Sequence, residues 1–461
     1  WSTPTRKPTS INTGLHEFIV PCKKVSAPCP ITLWHLSLLS STTLYPGQLN
    51  VLFISITPSS SPEAAVTILN VEPGTTEVIV GLIADAGSNI TITGADEQIL
   101  TLNQPASAKD IKFQECKVAV DSTNSITIKG NITGFSCSKN PSVTFLDVSN
   151  MGNLTILDCG GNQLTEIDLS KNKELQTLMC SSNNLESLDL SKNNKLTHLE
   201  CDFNNLKNLN LSNLTDLVRV ECSENEIETL DLANNSKLNT LLCGENKIAN
   251  LDLTNNTSLK ELDCSRNNIT TLDLSSNIEL VKVKCYTNTL TKLDLSNNNK
   301  LVYLDCADNK IAELNVANCT EINKLKADYN QIANLDLTKN AKLEDLKLEK
   351  NLLTKLDLSN NPNLKVAEIQ SNKLEELMLD NNNKLNLLSC YYNNFSTQSV
   401  NDILCSLPEI EEGKDAKIYL AYDKEEDNID SILKANSRIA KNKNWKVLYL
   451  LEDKTILTRG F

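Results

Sequence analysis

Between residues 154 and 385 the same 21-residue frame restarts eleven times without an insertion or deletion. One unit reads LTHLECDFNNLKNLNLSNLTD (196–216) and another LNTLLCGENKIANLDLTNNTS (238–258). An earlier unit, ITGFSCSKNPSVTFLDVSNMGN (132–153), fits with one extra residue, and a partial one, LNLLSCYYNNF, ends at 395. A fixed period of this length specifies a solenoid of about twelve turns. Each turn can bury its apolar side only against its neighbours, so the repeat decides the fold before local propensity does. The composition agrees: aromatics are 4% of 461 residues, few for a chain organised around one globular core.

Each position of the unit has a physical task. In L-x-x-L-x-C the second Leu and the Cys alternate as in a short strand with two side chains inward. Three residues after the Cys position every turn carries Asn: Asn140, Asn162, Asn183, Asn204, Asn225, Asn246, Asn267, Asn288, Asn309, Asn330, Asn351, Asn372 and Asn393. An inward amide can hydrogen-bond the backbone of its own and the next turn, which an apolar side chain cannot. The second half, L-x-x-L-D-L-S-x-N, is too short for a long helix, so the convex side is expected to be extended or 3₁₀.

This pattern resembles the leucine-rich repeat family, and within it the cysteine-ladder, internalin-like proteins of bacterial surfaces. The resemblance covers 132–395. It implies a β-dominated α/β-type solenoid: a curved right-handed superhelix with a parallel concave sheet. Before it, residues 1–65 are rich in Pro, Ser and Thr and poorly defined. Residues 66–131 hold AVTILNV, TEVIVGLIA, NITITG and SITIKG, which read as a small β-rich N-terminal cap. Residues 396–461 read as an α-β-α-β cap: a helix in STQSVNDILCSLPE, a strand in AKIYLAYD, a helix in NIDSILKANSRIAKNKN and a strand in WKVLYL. That tail resembles the C-terminal segment of leucine-rich surface proteins from Bacteroidetes, and it is expected to cover the open edge of the last turn.

Of fifteen cysteines, Cys159, Cys180, Cys201, Cys222, Cys243, Cys264, Cys285 and Cys306 form an unbroken ladder, with Cys137 and Cys390 at its ends. Disulfides do not suit it. In-register strands lie about 4.8 Å apart with parallel Cβ vectors, whereas a disulfide needs facing Cβ atoms about 3.5–4.5 Å apart. A single file of thiols cannot converge tetrahedrally on zinc either. Where the ladder breaks, the position holds Ala327, Leu348 and Ile369, and only a packing role accepts all four residue types. Cys22, Cys29, Cys116, Cys319 and Cys405 lie off the ladder. Cys22 and Cys29 can pair in an oxidising compartment, and Cys319 occupies the second Asn column as a variant.

No enzyme is expected. The three histidines, His16, His35 and His198, stand in no HExxH and beside no Ser or Cys nucleophile, and no phosphate-binding or nucleophile-elbow glycine motif occurs. Asp168, Asp189, Asp231, Asp252, Asp273, Asp294, Asp336 and Asp357 recur once per turn, but nothing supplies the further oxygens calcium needs. They read as a solvated column of the convex turn. No cofactor or metal is expected. A net charge of −14 argues against nucleic acid as a partner, and no apolar run reaches the ~18 residues of a membrane span. The chain opens without an initiator Met or a leader and shows no LPxTG-like anchor. Its start is expected to be a processed end, and surface attachment would then come from lipidation or a removed segment.

What remains is the concave face. The residues outward in each strand are the x before the second Leu, the x before the Cys and the two after it. These four columns hold five of the nine tyrosines, Tyr286, Tyr303, Tyr329, Tyr391 and Tyr392, with Phe203 and His198. Exposed tyrosine suits recognition because it gives contact area at low entropic cost. Charge is sorted along the face. Glu200, Asp202, Glu221, Glu224, Glu245, Glu261 and Asp263 come first, and then Lys282, Lys284, Lys324, Lys326, Lys347 and Lys350 mixed with acids. This surface suits an extended protein ligand steered by charge. A neutral glycan is the second candidate, and solvation alone is the plain reading. The expected function is a monomeric, non-catalytic binding protein, extracellular or on a cell surface, with adhesion or host interaction implied by the internalin resemblance. A cytoplasmic leucine-rich repeat scaffold, for which free thiols suit, and a glycan-binding module are the alternatives.

Overall fold

The computed structural model describes residues 66–102, 112–138, 140–422, 429–450 and 456–457. His16, His35 and the pair Cys22 and Cys29 lie outside the described residues, as does the whole of 1–65. From Ile156–Asp158 to Leu387–Ser389 each turn contributes one three-residue strand to a parallel sheet. The pairing is in register at the repeat period: Leu262 faces Val283, and Val283 faces Leu304. Consecutive parallel strands joined by a crossover take the right-handed connection, so the turns wind as a right-handed superhelix.

The inward residues of all turns form one continuous apolar core that runs from Leu69 in the N-terminal cap to Val447 in the C-terminal one. Ladder residues Cys159 to Cys306, Ala327, Leu348 and Ile369 are all fully buried in it. Among the described residues every cysteine is free, and burial pushes the ladder thiols up, Cys180 to about 12. They are protonated filler at neutral pH, which is why alanine or an aliphatic side chain can replace them.

Two rows of asparagine tie the turns. Asn267 Nδ2 donates to the carbonyls of Cys243 (3.0 Å), Cys264 (3.1 Å) and Ser265 (3.1 Å), while its Oδ1 accepts from Ile248 N (2.9 Å). One side chain thus satisfies backbone groups of two turns. The row begins on the cap, where Asn140 exchanges both bonds with the backbone of Ile79. The second row, represented by Asn277, is fully buried and donates to Leu253 O (3.0 Å) and Asn256 O (3.0 Å), but its Oδ1 finds no donor. This row accepts substitutes. Leu214 takes one place, and Cys319 takes another with its thiol directed at Leu295 O (3.5 Å).

The convex halves are extended and turn segments. Lys292–Asp294 pairs with Glu313–Asn315, and Lys355–Asp357 pairs with Glu376–Met378, each pair parallel. The aspartate column is exposed except at Asp357, which is half-buried. Its carboxylates accept the N–H two residues on, as from Ser170 to Asp168 (2.8 Å), and that bond holds the Asp168 carboxyl below its usual range. Capping these turns accounts for the column.

Both ends of the sheet are covered. At the N-terminal end Gly134–Ser136 pairs with the first repeat strand, then with Glu77–Ile83, which pairs with Gln114–Ala119. A second, antiparallel sheet runs in the order Glu97–Thr101, Asn89–Thr93, Ser125–Lys129, Val66–Val71 and Val143–Asp147. At the other end the helix Thr397–Ser406 starts on its N-cap Ser396, whose side chain accepts from Ser399 N. Ala416–Tyr422 then pairs with Leu387–Ser389, and Trp445–Leu450 pairs with it in turn. The single helix expected over NIDSILKANSRIAKNKN is two, Ile429–Lys434 and Arg438–Lys441. The break falls where Asn436 N donates to the side chain of Asn401 (2.8 Å) instead of continuing the helix.

Asn267→Ala leaves several buried backbone groups without partners and is expected to lower stability by about 3 kcal/mol. Cys264→Ala, which mimics Ala327, is expected to cost only about 1 kcal/mol. Urea unfolding of the two variants side by side checks the contrast.

Candidate functional site

The local geometry of the concave face follows from the strand. In Lys282–Lys284 the middle residue Val283 is buried and the two lysines face outward, and Glu261–Asp263 does the same around Leu262. Because the turns are in register, each repeat position becomes a column whose members lie about 4.8 Å apart on neighbouring strands.

The fourth outward column, just before the asparagine, is left-handed at every turn from Gly161 to Tyr392. Ten of these turns between Ser182 and Ser371 and the last at Tyr392 do this with a non-glycine residue, at φ between 51° and 58°. A side chain there costs about 1 kcal/mol, because its Cβ crowds the next carbonyl. Gly161, Ser182 and Ser371 suit such a bend. Phe203 and Tyr329 do not, yet they sit there with exposures of 50% and 45%, and Tyr392 shares the column. Neither the bend nor the exposure helps the isolated chain to fold, so the backbone at this column does not favour these aromatics.

The expected basic stretch turns out to be neutralised from within. Lys282 pairs with Glu261 (2.6 Å) and Lys284 with Asp263 (3.0 Å). Lys324 pairs with Asp345 (2.5 Å), Lys326 with Asp305 (3.3 Å) and Lys347 with Glu368 (2.9 Å). Earlier on the face Arg219 pairs with Glu221, and Arg266 with Glu245 (3.6 Å). The repeat makes this natural: a lysine placed one period after an acid meets it side by side.

The tyrosines fall into two groups. Arg266 lies over the ring of Tyr286 (5.9 Å), Lys326 over Tyr303 (5.8 Å) and Lys350 over Tyr329 (4.3 Å). Tyr391 and Tyr392 stand apart, in contact with each other (5.5 Å between centroids) and with Tyr422 (6.1 and 5.5 Å). Tyr422 was outside the sequence prediction, since the period stops at 395 and it belongs to the cap strand Ala416–Tyr422. Tyr419 of the same strand aligns with Ser389 and extends the column just before the cysteine position. The alternation in AKIYLAY was the one available signal.

At the other end Glu200, Asp202, Phe203, Glu221 and Glu224 are brought together on two adjacent turns, His198 among them. Burial, then Glu221, raises the Glu200 carboxyl, and burial raises Asp202 against the bond it accepts from Ser223 N (2.7 Å). Burial and the Arg219 charge lower His198. Phe203 is four turns from Tyr286, roughly 19 Å along the sheet, so the aromatics do not form one cluster. Among the described residues no group of three or more His, Cys, Asp or Glu could hold a metal ion.

Two predictions follow from this geometry. Thr287 is β-branched and left-handed (φ 53°), so Thr287→Asn is expected to raise stability by ~1 kcal/mol in urea unfolding. Burial raises Asp328 to about 6, opposed by the bond from Glu349 N (2.9 Å). Its folded-state value exceeds the unfolded one, so stability is held at low pH and lost as pH rises through 3.8 to about 6. Asp328→Asn keeps an acceptor for Glu349 N. It is therefore expected to raise the melting temperature at pH above 6, with the gain fading towards pH 4.

No protein-family profile and no curated protein sequence matches the chain. Solved structures do. The functional domain of InlJ from Listeria monocytogenes, which includes a cysteine ladder, is 32% identical over 62% of this chain and 68% of that one, with a TM-score of 0.54. An internalin, InlF, also from Listeria monocytogenes, matches at 24% identity over 57% of this chain and 82% of that one, with a TM-score of 0.53, which shows the shared fold. A 21-residue parallel solenoid with one buried thiol column, and a relative at that level of identity, place the chain in the leucine-rich repeat proteins of the internalin-like, cysteine-ladder type.

Proposed function

We propose that this chain is a non-catalytic binding protein that holds a protein ligand on its concave sheet. The observation that carries the reading is the placement of Phe203, Tyr329 and Tyr392 in a left-handed, outward column, where the backbone disfavours a large side chain. Large aromatic side chains presented on a rigid sheet act as interface anchors, and the surrounding charge columns give register and specificity. The buried, protonated ladder thiols offer no activated nucleophile, which supports a binding role over catalysis.

Export or display at a cell surface, with adhesion as the purpose, is supported by the likeness to internalins. The thiols do not oppose it: side chains this deeply buried are shielded from oxidants, so a ladder of free cysteines is compatible with an oxidising compartment as well as with the cytoplasm. Among the described residues no helix is long and apolar enough to cross a membrane.

The test compares affinity capture by the immobilised wild type, by Tyr286→Ala/Tyr303→Ala/Tyr329→Ala, and by a convex control, Lys292→Ala/Glu313→Ala. The concave variant is expected to lose its bound protein at least roughly ten-fold, while the control retains it. Equal capture by a concave variant that melts like the wild type would remove the concave face from consideration.

A further inference from the structure

The ion pairs on the concave face leave it with charge of one sign. Among the described residues every lysine and arginine in the four outward columns has a carboxylate partner within the face: Arg219, Arg266, Lys282, Lys284, Lys324, Lys326, Lys347 and, at 3.8 Å from Glu349, Lys350. The carboxylates outnumber them. Among the described residues Asp158, Glu200, Asp202, Glu224, Asp308 and Asp328 make no such pair. A partner that settles on this face therefore meets residual negative charge, whereas the lysines are already engaged with acids of the same face.

The C-terminal end adds a second, independent feature. Tyr391 and Tyr422 are stacked at 27° and 6.1 Å, and Tyr392 packs against both, so three rings build one aromatic platform across the junction of last repeat and cap. In the column that ends at Tyr391, Gln370 is one turn away and Glu349 two, joined by a bond from Gln370 Nε2 to Glu349 Oε2 (3.1 Å). The charges that face the Tyr391 phenol are those of Glu349 and Glu368; after burial they help to raise it to about 12. Elsewhere on the same face tyrosine rings already carry cations, most closely Lys350 on Tyr329. A planar guanidinium fits such a platform better than an ammonium, because it stacks on the ring while its edge donates to carboxylates.

We propose that the concave face docks a basic protein segment, one of whose arginines lies on the platform of Tyr391, Tyr392 and Tyr422 with its edge towards Glu349 and Glu368, which it shares with Lys350 and Lys347. This rests on the reading of the concave face as a protein-binding surface and adds the partner's chemistry. It also makes the C-terminal cap, through Tyr422, part of the binding surface as well as a cover for the sheet edge.

The probes are short labelled peptides of alternating arginine and glycine, their lysine and glutamate counterparts, and a neutral glucose oligosaccharide. Each is titrated against the whole chain at low and near-physiological salt. The arginine peptide is expected to bind most tightly, with an affinity that falls as salt rises. Tyr392→Ser, a residue the same column holds at Ser182 and Ser371, should weaken it roughly ten-fold, and Tyr422→Phe, which keeps the ring, should retain most of the wild-type affinity. Glu349→Gln/Glu368→Gln, at the platform, should weaken it several-fold and flatten the salt dependence. The proposal is overturned if the glutamate peptide binds as well as the arginine peptide, or if Tyr392→Ser binds normally while melting like the wild type. Displacement at the platform by the oligosaccharide but not by arginine would overturn it in favour of a glycan. Loss of protein capture in the Tyr286, Tyr303, Tyr329 variant, with no arginine-peptide binding anywhere, would sink the basic partner and leave the concave reading standing.

Discussion

One asparagine amide per turn holds this solenoid together. A 21-residue turn is too short for a helix on its return, so much of its backbone has no partner within a regular element. Asn267 answers this with three donated bonds and one accepted bond divided between two turns. An unmet buried peptide group costs more than a lost apolar contact of the same size. The asparagine position is therefore invariant along the chain, while the cysteine position beside it varies. The second row makes the point from the other side: it donates two bonds and accepts none, and there leucine and cysteine each take a turn.

That fixed interior sets the terms for the surface. Because each turn repeats the last in register, a residue in an outward column always meets its counterpart one period on. Most of the charge pairs on the face are then consequences of what stands at i and i+21. The lysines that look like a basic patch in one dimension meet their acids in the next turn and cancel. The tight bend before each asparagine adds a constraint of its own. It is best met by small residues, and the turns that place Phe203, Tyr329 and Tyr392 there run against that preference.

Much of this was legible in the residues. The period, the inward positions, the packing role of Cys264 and the four outward columns all follow from alternation and spacing, since a strand sends successive side chains to opposite faces. The residues that escaped were those whose neighbours come from outside the frame. Tyr422 reaches Tyr391 only because Ala416–Tyr422 adds to the sheet after the repeats have stopped. The helix break at Asn436 depends on Asn401, some thirty-five residues earlier in the chain.

By itself, then, the sequence determined the solenoid, its core and which side chains point outward, because a repeat that cannot bury its apolar side alone has one economical solution. Only the tertiary structure decided which outward charges are spent on each other, which tyrosines carry a cation and which join the cap in a shared platform. Those outcomes depend on distances between turns and across the cap junction. A one-dimensional pattern sets the columns, but the ångströms between their members are fixed only when the turns stack.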